Sequence, residues 1–272
     1  MRCIAVFLSF FLLRPALACE LALVLAVDVS GSVDGREYRI QMQGLAAALN
    51  DGIVQDALVD AQAQVTLVQW TGASRQRQTI GWTAITSVED VSALAVRIVD
   101  DLRRWRNFST AIGEAIDVSA ELFDQVPACK RRVIDVSGDG VSNEGVEPRE
   151  KLAEMKARGI TINALAIETE ETDLTAYFFE NLIVGEGAFV ITANGFEDYP
   201  AQIRRKLQRE TTKQLSRLPI DTAGCDHAHI TCDHKIRLLG RLHGDEVETA
   251  RKSASKPASN VPDPVTLRQI PL

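Results

Sequence analysis

The chain has 272 residues, 46% of them hydrophobic and 25% charged, with a formal net charge of −7. That length suits one sizeable domain, or a domain with an appendage. The acidic balance argues against nucleic acid as partner, because phosphate binding needs a basic face, and it is favourable for binding cations.

The N-terminal stretch "MRCIAVFLSFFLLRPALAC" places Arg2 before an apolar run from Ile4 to Leu13, then Pro15 and the small residues "ALA" before Cys19. It reads as a secretory signal, residues 1–18, cleaved after Ala18. The apolar run is too short to span a bilayer, and Arg14 interrupts any extension. A retained anchor and a lipid-modified Cys19 are the other readings of the same segment. Cleavage predicts an exported protein, periplasmic or secreted, with no stable membrane span. Export in turn makes Cys19, Cys129, Cys225 and Cys232 candidates for disulfides.

Apolar strand-like runs then alternate with amphipathic segments as far as about residue 210. The strand candidates are 21–29, 64–72, 77–85, 131–137, 160–168 and 187–193. Several are nearly continuous runs of apolar residues, the pattern of strands buried on both faces. Helical spacing appears in Tyr38, Met42, Leu45 and Leu49. It recurs in Val91, Leu94, Ile98, Leu102 and Trp105, and again in Ile112, Ile116, Ser119 and Phe123. Lys151 to Arg158 stops at Gly159, and Pro200 opens a last helix carrying Ile203 and Leu207.

This alternation predicts an α/β fold: a doubly wound, mostly parallel six-stranded sheet with helices on both faces. Runs 64–72 and 77–85 are too close for a crossover helix, so they form an antiparallel pair with the second strand at an edge. Cys19 and Cys129 precede Asp28 and Asp139 by nine and ten residues, which would bring the two sulfurs to one end of neighbouring parallel strands. A Cys19–Cys129 bridge would then compete with lipidation, because one sulfur cannot do both.

The main domain is therefore expected over 19–212, with a C-terminal extension over 213–272. Residues 252–272, rich in Ser, Pro, Ala and Lys, read as disordered. The extension contains "CDHAHITCDH", for which a local Cys225–Cys232 disulfide is the simplest account, a His-assisted metal site the next and free cysteines the third. Trp70, Trp82 and Trp105 fall on strand or helix spacing and read as packing residues.

Three oxygen-rich segments fall at the carboxyl ends of predicted strands or at the start of a helix, where open parallel sheets bind ligands. They are Asp28-Val-Ser30-Gly-Ser32, the turn "NFSTAIGEAI" containing Thr110, and "DVSGDGVSNEG" containing Asp139. Asp28, Ser30, Ser32, Thr110 and Asp139 are hard oxygen donors suited to a small hard cation, Mg²⁺ or Mn²⁺. Neutral hydroxyls would leave such an ion with residual positive charge, open to an outside carboxylate. Asp135-x-Ser137-x-Asp139 imitates the start of a calcium loop, but Val146 stands where the bidentate Glu is required.

The set resembles the metal-ion-dependent adhesion site (MIDAS) of von Willebrand factor A-type domains: Asp-x-Ser-x-Ser, a distant Thr and a later Asp-Gly. Asp28-x-Ser30-x-Ser32 is intact, Thr110 takes the Thr position, and Asp139-Gly140 the last. This sequence reads SGDG where the family more often has Thr-Asp-Gly. The resemblance covers residues 20 to about 210. It implies a non-catalytic, adhesion-type module that binds a protein partner when an Asp or Glu of that partner completes the metal shell. It also implies kinship with exported bacterial proteins, many without an assigned role.

Two rival functions stand beside it. Asp28 could be the nucleophile of a phosphatase-like hydrolase, although Ser30 stands where such sites usually carry a second acid. Alternatively the chain is a structural envelope protein with a decayed metal site. A serine hydrolase is disfavoured because all four histidines lie at 227, 229, 234 and 243, outside the main domain.

Overall fold

The computed structural model describes residues 19–169 and 173–212. The signal segment 1–18, the Cys225–Cys232 pair and the stretch 252–272 lie outside the described residues.

Six strands form one sheet: β1 (Leu21–Asp28), β2 (Gln64–Trp70), β3 (Gln76–Ala84), β4 (Arg131–Gly138), β5 (Ile160–Ile167) and β6 (Val190–Ala193). Their order is β3-β2-β1-β4-β5-β6. Every neighbouring pair is parallel except β2 with β3, which is antiparallel at one edge. β1 lies in the middle, and all eight of its residues are buried, which is why "LALVLAVD" shows no polar alternation.

Among the described residues, seven α-helices cover the two faces: α1 (Gly35–Leu49), α2 (Gly52–Asp60), α3 (Val88–Val99), α4 (Ile112–Glu121), α5 (Pro148–Ala157), α6 (Leu174–Asn181) and α7 (Tyr199–Thr212). Leu23, Leu25 and Val27 of β1 pack with Met42, Leu45, Leu58, Leu94 and Ile203, so α1, α2, α3 and α7 share one face. Ala22, Val24 and Ala26 point the other way, onto Ile112, Ile116, Met155 and Phe178 of α4, α5 and α6. The period-2 alternation of strand side chains divides the core into these two layers.

The expected helix through Leu102 and Trp105 requires correction. α3 ends at Val99, and Leu102 is 80% exposed. Gln69 of β2 accounts for the change of path. Its Nε2 donates to Asp101 Oδ2 (2.8 Å) and to the Leu102 carbonyl (3.1 Å), while its Oε1 accepts from the Arg104 amide (2.9 Å). These bonds hold 101–104 as a loop against the sheet, and Trp105 packs at the edge of the core from there. Helices α2 and α6 were not anticipated.

Cys19 and Cys129 are joined by a disulfide with their Cα atoms 4.5 Å apart. The Lys130 amide donates to the Cys19 carbonyl at 3.0 Å, fastening the start of β1 to that of β4. A second buried feature ties α7 to the sheet. The Lys206 ammonium pairs with Asp135 of β4 and lies 3.9 Å from Glu210 Oε2. Asn163 Nδ2 donates to Glu210 Oε1 at 2.7 Å.

Candidate metal centre

The sheet register determines where the two acids meet. Val27 pairs with Ser137, so Asp28 is level with Gly138 and Asp139 is the first residue past β4. β1 runs on to β2 on one side of the sheet and has β4 on the other, so the pair sits where the strand order reverses. Open α/β sheets place ligands at that position.

Asp28 is fully buried. Its Oδ1 accepts the Ser30 amide at 2.7 Å, while Oδ2 has no hydrogen-bond partner among the described residues. Burial, and then the charge of Asp139, push the Asp28 carboxyl up from 3.8 to about 8. A Cβ at position 138 would stand 3.0 Å from Asp28 Oδ2, so glycine there keeps the carboxylate edge clear.

The hydroxyls converge on the same place. Ser30 Oγ lies 3.2 Å from Ser32 Oγ, and Ser32 Oγ donates to Asp139 Oδ1 at 2.7 Å. Ser32, Thr110 and Asp139 line a cleft of about 410 Å³ that also includes Glu37, Asn143 and Thr169. Asp28 and Ser30, 0% and 1% exposed, are buried at the strand end from which this loop departs. The structure thus brings Asp28, Ser30, Ser32 and Asp139 together, with Thr110 on the wall of the cleft.

Four further residues hold this arrangement. Asn143 Oδ1 accepts the Thr110 amide at 2.8 Å, while the Asn143 and Glu144 amides donate to the Thr110 carbonyl at 2.9 and 3.2 Å. The loop after β4 therefore fixes Thr110, the residue before Ala111, which precedes α4 without a side-chain cap of its own. Arg103 donates to the carbonyls of Val29 (3.0 Å) and Ser30 (2.8 Å), and Gln41 to that of Asp28 (3.3 Å). The polar turn "VSNEG" was a signal for Asn143. Gln41 and Arg103 had none, because their partners are backbone atoms remote in sequence.

The donor set fits a hard divalent cation. Two buried carboxylates face each other, one oxygen is unsatisfied, and three hydroxyls stand beside them. Among the described residues no three His, Cys, Asp or Glu side chains cluster to hold a metal, so an ion here would rest on this mixed set.

The six-stranded, mostly parallel sheet covered by helices on both faces is consistent with the α/β fold of von Willebrand factor A-type domains. The chain is similar to proximal thread matrix protein 1 (PTMP1) from the mussel byssus, with a TM-score of 0.55 and 18% identity over 70% of this chain and 47% of that one. A second PTMP1 structure, described as having a zinc-occupied MIDAS motif, gives 0.54 at 16% identity over 71% and 46%. The pilus adhesin SpaC from Lactobacillus rhamnosus GG gives 0.51 at 12% identity over 71% and 31%. The chain spans less than half the length of these proteins. No curated protein matches the sequence. The sequence profile of the family described as "Protein of unknown function (DUF1194)" matches residues 18–215, and the chain belongs to that family.

Proposed function

We propose that the protein is an exported, non-catalytic binding module that takes up a divalent cation, Mg²⁺ or Mn²⁺, and uses it to hold an acidic group of a protein partner. The observation that carries this reading is the buried Asp28–Asp139 carboxylate pair, with one unsatisfied oxygen, beside a cleft lined by hydroxyls. Asp28, Ser30, Ser32, Thr110 and Asp139 would hold the ion. Bound there, it would supply a positive point charge to which a partner Asp or Glu carboxylate binds.

The chain's own residues do the rest. Asp28 and Asp139 would provide the negative charge once an ion displaces the Asp28 proton, and burial strengthens the attraction by removing competing water. Asn143 holds Thr110 in place, and Arg103 holds the Ser30 backbone. The zinc-occupied MIDAS motif of the PTMP1 structure supports a divalent ion as the ligand of such a site. The Cys19–Cys129 disulfide supports export, because such bridges persist in oxidising compartments. No helix of the described residues is long and apolar enough to cross a membrane. The complete burial of Asp28 disfavours its use as a phosphatase nucleophile, which must reach a phosphorus atom.

The test is calorimetric titration of Mg²⁺ and Mn²⁺ into the purified chain and its Asp139→Ala form, with a phosphoester hydrolysis assay alongside. Uptake of one ion by the parent and none by the variant, without turnover, is the expected result. Phosphoester turnover would sink the binding reading, and absence of uptake by the parent would leave a decayed site.

A further inference from the structure

Beside the candidate metal centre lies a second cleft of about 810 Å³, and the two share Gly31 as a common wall. Gly31 donates its amide to the Phe108 carbonyl at 2.8 Å. A Cβ there would stand 3.2 Å from that oxygen and 3.4 Å from Asn107 Cα. Asn107 lines the second cleft and Phe108 the first, so only this tight backbone seam divides them.

In a chain of net charge −7, the second cleft gathers three guanidinium groups: Arg39, Arg103 and Arg106. Arg103 is pinned by the Val29 and Ser30 carbonyls, with the like charge of Arg106 close enough to oppose its own. Arg39 and Arg106 are exposed; the charge of Arg39 acts on Asp34 at the cleft edge, and that of Arg106 on Arg103. The acids of the cleft are already engaged. Asp101 Oδ2 accepts from Gln69 and Thr79 (2.8 and 2.6 Å), and Asp34 Oδ1 accepts the first amides of α1 (2.6 and 2.8 Å). Apolar surface from Val99 and Leu102, 47% and 80% exposed, completes the lining.

We propose that this cleft binds an acidic, partly apolar peptide segment of the same partner whose carboxylate reaches the Asp28–Asp139 centre. The inference rests on the proposed function for that carboxylate. The cleft adds the sequence preference: further Asp or Glu side chains for Arg39 and Arg106, and an apolar side chain between them for Val99 and Leu102. Guanidinium groups suit carboxylates because they offer two parallel donors. The apolar lining favours a peptide over a sulfated sugar, which has no side chain to bury there.

The test uses a fluorescein-labelled Glu-Leu-Glu-Glu-Leu-Glu peptide and its Gln-for-Glu counterpart, followed by anisotropy on the full chain with Mg²⁺. The double substitution Arg39→Gln/Arg106→Gln is expected to weaken binding of the acidic peptide about tenfold and leave calorimetric Mg²⁺ uptake unchanged. Equal affinity in parent and variant would overturn the proposal. So would equal binding of the Gln peptide, or a heparin fragment that binds more tightly than the acidic peptide. Parallel runs in EDTA and with Asp139→Ala keep the two readings apart. Binding that survives both but is lost with the arginines sustains the cleft and removes the metal. Binding lost with Asp139→Ala but indifferent to the arginines does the reverse.

Discussion

The Ser32 hydroxyl donates to Asp139 Oδ1 at 2.7 Å, joining the loop after β1 to the loop after β4 across 107 residues of chain. Hydrogen bonds to charged groups contribute about 1.5–3 kcal/mol. Ser32→Ala is therefore expected to lower Mg²⁺ affinity by about tenfold or more. Calorimetry on the parent and variant measures this, and an unchanged dissociation constant would place Ser32 outside the donor set.

The metal-free protein has a defined dependence on pH. Asp28 is raised from 3.8 to about 8 in the folded state, so between those values the folded chain keeps a proton that the unfolded chain releases. That contribution is full below about 4 and is lost as the pH rises toward 8. In chelator, parent stability should fall through this window relative to Asp28→Asn, by up to about 1.4 kcal/mol per pH unit. Denaturant midpoints across the range check it. Parallel curves for parent and variant would show that the Asp28 carboxyl is not the source.

Lys206 is buried with Asp135 and Glu210, and removing one partner leaves uncompensated charge in the core. Lys206→Met should cost about 3–5 kcal/mol. Asp135→Leu/Lys206→Met should recover a large part of that loss, because the orphaned Asp135 charge is gone. Urea unfolding of the three proteins distinguishes this from simple cavity formation, in which the double variant would be worse than the single one.

The Cys19–Cys129 bridge spans a sequence separation of 110. Closing so long a loop restricts the unfolded chain, and a native disulfide of this kind contributes about 2–5 kcal/mol. Cys19→Ser/Cys129→Ser should lose stability in that range, read by thermal unfolding under non-reducing conditions.

The inner strands were legible because burial on both faces leaves uninterrupted apolar runs, as in "LALVLAVD". The candidate donors were legible because Asp28, Ser30 and Ser32 stand two residues apart where such a run ends. α2 was not, because its nine residues follow Leu49 almost at once and only Val54, Ala57 and Leu58 are buried. The end of α3 was hidden for a different reason. Leu102 and Trp105 continue the helical spacing, but Gln69 on a separate strand claims the backbone there. The arginine-lined cleft was invisible for the same cause: Arg39 and Arg103 are brought together only by the packing of α1 beside the 101–104 loop.

The disulfide also bears on what a protease could do to this protein. A single cut in the exposed segment around Asn107 would divide the chain into one piece carrying Asp28 and another carrying Asp139. The bridge from Cys19 to Cys129 crosses that division, so the nicked molecule would stay one covalent body with both acids aboard. A reductant would then part the halves on a denaturing gel, and the two acids with them.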